Sequence, residues 1–143
     1  MLIRALRQAD MPTARELLRQ LGYDVGVEEL AARLARVLAA TDHCVAVAEQ
    51  DGRVIGLMHV FARPALEKPC EALVQALVVD ETMRGRGIGL ALMREAEAWA
   101  AAHGLPSVAL YTRNAQAFYA RLGYAKIAVP DLMRKHLGRK EGS

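Results

Sequence analysis

The sequence predicts an α/β (α+β) fold in which a sheet of six to seven strands is flanked by about four helices. The 143 residues suit one domain that buries a core of its own. Short apolar runs alternate with stretches in which apolar residues recur every three or four positions. A glycine-rich loop, Arg84 to Gly89, separates one such run from a long helical pattern. We therefore expect a single domain over residues 1–137, followed by a polar tail over residues 138–143.

The first part of the chain predicts one strand and two helices. Leu2–Leu6 is short and apolar enough for an opening strand. Asp10 is a suitable N-cap for the next helix, with Pro12 in the first turn, where a missing N–H does no harm. Gly22 is expected to end that helix. Apolar residues at helical spacing then predict a second helix over Glu28–Ala40.

A β-hairpin and a central strand are predicted next. His43–Glu49 and Arg53–Phe61 are rich in β-forming residues, and Gln50–Gly52 joins them with an Asp-Gly pair that favours a tight turn. Residues 62–69 contain two prolines and predict a loop. Glu71–Val79 is almost continuously apolar, as expected of a strand that is buried on both faces.

The C-terminal part of the chain predicts two helices and three strands. An amphipathic helix follows the glycine-rich loop, packs one face on the sheet and ends at His103-Gly104. A shorter helix is expected over Asn114–Leu122, where Gly123 ends it. The strands are expected over Ser107–Tyr111, Tyr124–Val129 and Leu132–Leu137.

The glycine-rich loop predicts an anion-binding site. Glycine lets a ligand approach the backbone closely, and the first turn of a helix offers N–H groups to a phosphate. Arg84 and Arg86 add guanidinium groups that suit a pyrophosphate. A P-loop is disfavoured because the sequence Gly89-Leu90-Ala91 stands where Gly-Lys-Ser/Thr is required. A dinucleotide-binding fingerprint is disfavoured because Leu90 stands where a small residue is required. An ordinary glycine turn with solvated arginines is the remaining alternative.

The pattern Arg-x-x-Gly-x-Gly, supplied by Arg84, Gly87 and Gly89, resembles that of the GNAT superfamily of acyl-CoA-dependent N-acyltransferases. The similarity extends over nearly the whole chain, including Leu77–Asp80 before the loop and Phe118-Tyr119 near its end. The predicted order of helices and strands also matches. The resemblance implies the GNAT fold, a mixed and mostly antiparallel sheet whose fourth and fifth strands splay apart.

The resemblance also implies acetyl-CoA as the co-substrate and no metal. In the family the pantetheine arm pairs with the backbone of the splayed fourth strand, and the pyrophosphate lies against the glycine-rich loop. These roles fall on Leu77, Val78 and Val79 for the pantetheine arm and on Arg84, Gly85, Arg86, Gly87, Ile88, Gly89 and Leu90 for the pyrophosphate.

Tyr119 matches a family position at which a tyrosine often lies near the cofactor sulfur. A neutral phenol there could donate a proton to the departing thiolate, which makes Tyr119 the candidate general acid. The alternative is a buried aromatic residue with a satisfied hydroxyl. Asn114, or Thr112 two residues earlier, could also contact the cofactor, and Phe118 is expected to pack in the core or against the pantetheine arm.

A general base is less evident, although an attacking amine must lose a proton. Many relatives have a carboxylate on the fourth strand at the positions of Leu73 or Gln75, which this chain lacks. Glu71 lies two residues from Leu73, on the same side of the strand, and His59 lies on the neighbouring strand. Both are candidate bases. The structural interpretation of Glu71 is a charge at the strand edge, and that of His59 is a partly buried histidine. A water relay, or no dedicated base, is also open.

The acceptor site is expected between the first two helices and the loop after the third strand. Tyr23, Asp24 and Glu28 are the candidate substrate-binding residues, with Glu29 and Glu67 nearby in the predicted mouth. Their acidic character favours a cationic amine, although a solvated helix start explains the same glutamates. A small amine, an amino acid, an antibiotic and a protein amine all fit this description.

Composition and apolar patterning limit the function classes, the compartment and the kinds of cysteine site that the chain can have. A net charge of +3 and 5% aromatic residues give little support to nucleic-acid binding. No apolar run is long enough for a membrane span and no signal core is evident, so we expect a cytoplasmic protein, monomeric or homodimeric. Cys44 and Cys70 are too few for a disulfide framework or a zinc site. The sequence thus predicts an acetyl-CoA-dependent N-acetyltransferase; the alternative is an inactive acyl-CoA-binding sensor or interaction module.

Overall fold

The structure of the chain, a computed structural model, describes residues 1–138. The described chain divides into two compact units, Met1–Tyr111 and the residues from Thr112 onward. Residues 139–143, most of the predicted polar tail, lie outside the described residues. The helices and strands are β1 (Leu2–Ala5), α1 (Met11–Leu21), α2 (Val27–Ala39), β2 (His43–Gln50), β3 (Arg53–Arg63), β4 (Glu71–Val79), α3 (Ile88–Ala102), β5 (Val108–Leu110) and α4 (Gln116–Arg121).

The strands of the first unit form a single sheet in the order β1-β2-β3-β4-β5. The pairings from β1 to β4 are antiparallel, and the pairing of β4 with β5 is parallel. This confirms the mixed, mostly antiparallel sheet that the sequence predicts. The described residues contain five strands, fewer than the predicted six to seven.

The hairpin between β2 and β3 forms as predicted. Asp51 and Gly52 have φ angles of 54° and 74°. Two consecutive left-handed residues are the signature of the tight turn whose twist matches that of its flanking strands. The turn fixes a register in which His43 pairs with Phe61 and Val45 with His59. His43 and His59 are therefore diagonal neighbours on one face of the sheet.

Helices cover both faces of the sheet. Gly56 of β3 faces α3, because an added Cβ would lie 2.9 Å from a methyl group of Leu92. Alternation along β3 then places Leu57, His59, Phe61 and Arg63 on the opposite side, which we call the α1 face. Its buried cluster consists of Ala14, Leu17, Val47, Val54, Leu57 and Val78.

The expected capping role of Asp10 is wrong. Its side chain forms no capping hydrogen bond to α1. Instead the carboxylate accepts hydrogen bonds from the Arg4 guanidinium at 2.7 and 3.0 Å and from the Arg7 backbone N–H at 2.7 Å. Arg4 also donates to Glu49 on β2. The hydrogen bond from Arg4 lowers the pKa of Asp10. A buried ion pair with β1 thus outcompetes the local helix cap.

The second unit contains α4 and an irregular segment. The predicted strands Tyr124–Val129 and Leu132–Leu137 are wrong, because residues 124–137 adopt no helix or strand. Their apolar pattern resembles that of strands, but a strand needs a partner that completes its hydrogen bonds, and an isolated hairpin is only marginally stable. Large apolar side chains of this segment are exposed, namely Ile127, Val129, Leu132, Met133 and Leu137.

None of the helices in the described part of the chain has both the length and the apolar character that crossing a bilayer requires.

Candidate active site

A bulge in β4 opens the centre of the sheet. His59 pairs with Ala76 and Val60 pairs with Val74, so Gln75 has no opposite residue on β3. An extra residue of this kind bends its strand and interrupts the ladder. The parallel pairing with β5 covers only Ala72–Val74 and ends where the bulge begins. The splay between β4 and β5 is therefore present, and it starts at Gln75.

Beyond the splay, β4 has only β3 as a neighbour. Leu77, Val78 and Val79 pair with Met58, Leu57 and Gly56 respectively. In the described residues their other edge has no strand partner. Unpaired backbone N–H and C=O groups along such an edge can hydrogen bond an extended ligand. The role of these three residues in binding pantetheine stays a prediction. The unpaired edge is consistent with that role.

The glycine-rich loop has the backbone that a phosphate cradle requires. Gly85 and Gly87 both have φ angles of 81°, a conformation that other residues adopt only with strain. Gly87 is the N-cap of α3, and no side chain caps this helix. The first intrahelical hydrogen bond at this end joins the Ala91 N–H to the Gly87 carbonyl. The N–H groups of Ile88, Gly89 and Leu90 consequently lack intrahelical partners.

Charge at this helix end also suits an anion. α3 has no acidic residue in its first turn, so the positive end of its dipole is not neutralised there. Arg84 is exposed, and its Nε donates to the Val79 carbonyl at 3.2 Å. Arg86 is exposed as well and forms no ion pair with the residues that the structure describes. The loop therefore has the uncapped donors, open backbone and positive charge that fit the pyrophosphate of acetyl-CoA.

Glu71 is tied into an ion-pair cluster at the start of β4. Its carboxylate lies 3.4 Å from Arg63 and 3.7 Å from Lys68, and it accepts a 3.3 Å hydrogen bond from the Ser107 hydroxyl. Two cations and a hydroxyl thus occupy the carboxylate. This environment favours the structural interpretation of Glu71.

His59 has a different environment on the α1 face. Its Nε2 lies 2.9 Å from Nδ1 of His43, and the two rings are stacked. The His43 ring also stacks on Phe61 with a centroid distance of 5.0 Å. Burial, together with the smaller effect of nearby His43, lowers the pKa of His59 to about 4. His59 is thus a neutral imidazole at pH 7.

The two candidate bases are not neighbours. Glu71 pairs with Arg63, whereas His59 pairs with Ala76, immediately beside the bulge. Arg63 and His59 are four residues apart on β3, which corresponds to about 13 Å along a strand. Only His59 is adjacent to the point where β4 and β5 separate.

Tyr119 lies on α4 in the second unit. Its ring makes edge-on contacts with Phe118 and Tyr124, with centroid distances of 5.0 and 6.0 Å. Burial raises the pKa of Tyr119, so its hydroxyl keeps its proton at pH 7. Asn114 is exposed, and the Thr112 hydroxyl accepts a hydrogen bond from the Ala115 N–H at 3.1 Å. Thr112 therefore has a local role at the start of α4.

The candidate acceptor residues all lie on the surface, Tyr23 and Asp24 in the α1–α2 connection and Glu28 in the first turn of α2. Tyr23 is 59% exposed, and Asp24 and Glu28 are exposed too. Arg15 holds this connection by donating a 2.8 Å hydrogen bond to the Val25 carbonyl. These side chains are accessible to a ligand, and Arg15 restrains the backbone that carries them.

The sequence prediction did not include His43, which contacts His59, or the partners of Glu71, namely Arg63, Lys68 and Ser107. The hairpin signal contained information on His43, because an Asp-Gly turn fixes which residues of β2 and β3 are cross-strand neighbours. Counting outward from Asp51-Gly52 brings His43 to the region of His59. The described residues contain no group of three or more His, Cys, Asp or Glu side chains that could hold a metal ion.

Solved structures share this architecture. An acetyltransferase from Trypanosoma brucei superimposes with a TM-score of 0.75 and 26% identity, covering 95% of this chain and 99% of that chain. The aminoglycoside N-acetyltransferase AAC(6')-Iy in complex with CoA superimposes with a TM-score of 0.83 and 20% identity, covering 94% of each chain. At this low identity the second similarity concerns the fold alone.

Curated relatives match parts of the chain. N-alpha-acetyltransferase 80 of Mus musculus is 41% identical over 66 residues, which are 46% of this chain and 21% of the relative. Acetyl transferase GW6a of Oryza sativa subsp. japonica is 31% identical over 124 residues, covering 75% of this chain and 30% of the relative. The chain thus spans less than a third of the length of either relative.

A family model describes most of the chain. The model of the acetyltransferase (GNAT) family matches residues 3–124, which include the splayed strand, the glycine-rich loop and Tyr119. The splay and the uncapped N-terminus of α3 agree with this match. The chain belongs to the acetyltransferase (GNAT) family.

Proposed function

We propose that this protein transfers an acetyl group from acetyl-CoA to an amine by direct attack. The observation that carries the proposal is the combination, within the first unit, of an open β4 edge and the uncapped N-terminus of α3. The glycine-rich loop joins the two directly. One extended backbone edge next to an anion site suits a ligand that has an amide-containing arm and a pyrophosphate.

The residues that would hold acetyl-CoA divide into two groups. The edge of Leu77, Val78 and Val79 would pair with the pantetheine amides, and one backbone N–H beside the splay would bind the carbonyl oxygen of the thioester. The loop from Arg84 to Leu90 would bind the pyrophosphate through backbone N–H groups and two guanidinium groups. Bound acetyl-CoA supplies an activated acyl thioester, so the attacking amine gains the acetyl group and the thiol departs.

Tyr119 is the proposed general acid. Because burial raises its pKa, the phenol is protonated at the pH at which the thiolate leaves. Proton donation to the sulfur prevents the thiolate from attacking the product amide in the reverse direction. Phe118 and Asn114 are proposed as cofactor contacts on the same unit, as their position in the family pattern implies.

His59 is a better candidate base than Glu71. It lies beside the bulge and is unprotonated at pH 7, whereas Glu71 is bound by Arg63 and Lys68. An imidazole with a pKa of about 4 cannot deprotonate a free ammonium ion, whose pKa is near 10. It can accept the proton from the amine nitrogen once attack on the carbonyl carbon has begun. The acceptor would therefore bind as the free amine, after losing its first proton to water.

The acidic surface around the α1–α2 connection supports a cationic acceptor. Asp24 and Glu28 are exposed, and Tyr23 adds an aromatic surface that can stack on a substrate. Carboxylates there raise the local concentration of an amine that carries a further positive charge. We propose a polyamine-like or basic peptide amine as the substrate class to test first.

The proposal is tested by measuring thiol release from acetyl-CoA against a panel of amines, with mass detection of the acetylated product. The panel contains matched amines of net charge zero, one and two. We expect turnover to rise with acceptor charge, and Asp24→Asn/Glu28→Gln to abolish that preference. A protein that binds acetyl-CoA but acetylates no amine would instead support the acyl-CoA sensor, for which the weak basicity of His59 is the favouring observation.

A further inference from the structure

The loop that leads to the pyrophosphate site begins with a dense hydrogen-bond network around Asp80. This residue follows β4 directly, and its backbone N–H donates to the Ile55 carbonyl at 2.8 Å. Its carboxylate accepts a hydrogen bond from the Thr82 hydroxyl at 3.1 Å and pairs with Arg53. The Asp80 carbonyl accepts from the Met83 N–H at 2.8 Å, which closes a single 3-10 turn.

Gln20 of α1 binds this network with both ends of its amide. Its Nε2 donates to Oδ1 of Asp80 at 3.3 Å, and its Oε1 accepts from the Glu81 backbone N–H at 2.9 Å. Nε2 also contacts Glu16 on the preceding turn of α1 at 3.2 Å, which orients the amide. Gln20 therefore bridges α1 and the first two residues of the loop, which are sixty residues away in sequence.

The bridge is placed where it can control the anion site. Asp80 and Glu81 lie four and three residues before Arg84, at the start of the loop that contains Arg84–Gly89, and Arg84 and Gly85 to Gly87 are exposed. Three glycines in this segment lower its intrinsic stiffness. Contacts at the start of the loop therefore contribute strongly to where its N–H groups point. The β4 edge does not depend on Gln20, since the ladder with β3 holds it.

We propose that Gln20 is a positioning residue for the pyrophosphate loop, through which α1 fixes the direction of the phosphate-binding N–H groups. The inference rests on the proposed acetyl-CoA site. It makes a prediction that general stabilisation does not make. Loss of Gln20 should weaken ligands that contain the pyrophosphate and should spare ligands that contain only the pantetheine arm.

The test compares acetyl-CoA with S-acetylpantetheine, which keeps the thioester and the amides but lacks the pyrophosphate. Gln20→Ala removes both hydrogen bonds, and Gln20→Glu keeps an acceptor for Glu81 but places a second carboxylate beside Asp80. The matched control is Gln8→Ala, an exposed glutamine whose side chain forms no hydrogen bond within residues 1–138. Steady-state rates are measured with each thioester at a saturating concentration of the best acceptor amine.

We expect Gln20→Ala to raise KM for acetyl-CoA by about 5- to 30-fold, only part of the effect of two lost hydrogen bonds, because the phosphate-binding N–H groups themselves are kept. Neither kcat nor the kcat/KM for S-acetylpantetheine should change by more than about twofold. Gln20→Glu should raise KM for acetyl-CoA as well, because carboxylate repulsion replaces the contact with Asp80. Gln8→Ala should match the wild type with both thioesters.

Equal losses with both thioesters, or no loss with either, would overturn the positioning role.

Amide hydrogen exchange gives an independent readout that needs no activity. Gln20→Ala should accelerate exchange at the Glu81 N–H and in the loop that follows, while β4 exchange stays unchanged. Unaltered exchange in the loop would also overturn the inference. If the wild-type protein does not bind acetyl-CoA, the proposed function itself is refuted. Titration of the wild type with acetyl-CoA identifies this outcome separately.

Discussion

Local surroundings decide which side chains of this protein can transfer a proton. Arg63, Lys68 and Ser107 all bind the carboxylate of Glu71. His59 has one polar neighbour, His43, and is kept neutral by burial. We therefore expect His59, and not Glu71, to be the residue available for proton transfer.

Replacing Tyr119 by phenylalanine should lower kcat by roughly 100-fold or more, the usual contribution of a positioned general acid. KM for acetyl-CoA should change little, because the aromatic ring and its contacts with Phe118 and Tyr124 are kept. Tyr124→Phe, which removes a hydroxyl from the same unit, is the control and should keep most of the activity. Steady-state kinetics measure both; equal activity of the two variants would remove Tyr119 from the mechanism.

The stability of the fold should decrease in mild acid because of His59. The folded-state pKa is about 4 against 6.5 for an ordinary histidine, so between these values the unfolded chain binds a proton that the folded chain does not. The stabilisation is complete above pH 6.5 and is lost as the pH falls toward 4. We expect a loss of roughly 1 to 2 kcal/mol across this window, allowing for partial solvent exposure.

Urea unfolding at pH 4.0 to 7.5 measures this slope. His59→Gln removes the titrating group and keeps a hydrogen-bonding partner for His43, so its pH dependence between 4 and 6.5 should be flatter than that of the wild type. His103→Gln, at the exposed C-terminal end of α3, serves as the control and should keep the wild-type slope. Identical slopes in all three proteins would contradict the assignment to His59.

Single residues were predictable from the sequence where a motif defined them. Arg84, Gly87 and Gly89 were identified because the spacing of a phosphate loop is local. The roles of His43 and Gln20 were not predictable, because they depend on partners that only the folded chain brings near. The partner of His43 is His59, and the partner of Gln20 is Asp80. The Asp10 cap failed for the same reason, since Arg4 competes for its carboxylate.

At the scale of elements, the bulge in β4 determines where the sheet opens. One extra residue, Gln75, ends the pairing with β5 after three residue pairs and leaves the rest of β4 with a free edge. The next residues run directly into the glycine-rich loop. The edge of β4 and the N-terminus of α3 thus both present unpaired backbone groups, which are the structural basis of the proposed cofactor site.

The close approach of α3 to the sheet depends on Gly56. A Cβ at this position would lie 2.9 Å from a methyl group of Leu92 and 3.3 Å from one of Ile88. Leu92 is fully buried and has little freedom to move. We expect Gly56→Ala to destabilise the protein by about 1 to 2 kcal/mol, because overpacking displaces the helix.

A double-mutant cycle checks that prediction by urea unfolding. Leu92→Ala alone should destabilise the protein through a cavity, and the double variant should be less destabilised than the sum of the single variants, since the alanine methyl then has space. Strict additivity would show that Gly56 is not in contact with Leu92.

Most elements were predictable because their signals are local. The Asp51-Gly52 turn, the glycine that ends α1 and the apolar run of β4 each appear within a few residues. The bulge at Gln75 was not predictable, because it is defined by the register between β3 and β4. The register depends on side chains of both strands and not on either sequence alone.

At the scale of the whole molecule, the sequence pattern overestimated the sheet. The apolar residues after Tyr124 suggested two more strands, but the residues described there form none. An apolar pattern shows that a segment can be a strand, and only an available edge makes it one. The family assignment was unaffected, because it depends on residues 3–124.

Binding of acetyl-CoA is the property on which the proposed function depends. The most direct measurement is calorimetric titration of acetyl-CoA into wild type, Gly87→Glu and Gly104→Glu. Gly87 and Gly104 are both left-handed, with φ angles of 81° and 71°, and both face open space, so the substitutions introduce similar strain. Only Gly87 lies at the N-terminus of α3, where a carboxylate would repel the pyrophosphate.

We expect the wild type and Gly104→Glu to bind acetyl-CoA with similar affinity, roughly micromolar, and Gly87→Glu to bind at least about tenfold more weakly, a difference of 1.4 kcal/mol or more. Circular dichroism verifies that all three proteins are folded. Absence of binding by the folded wild type, or equal binding by all three proteins, would contradict an acetyl-CoA site at this loop.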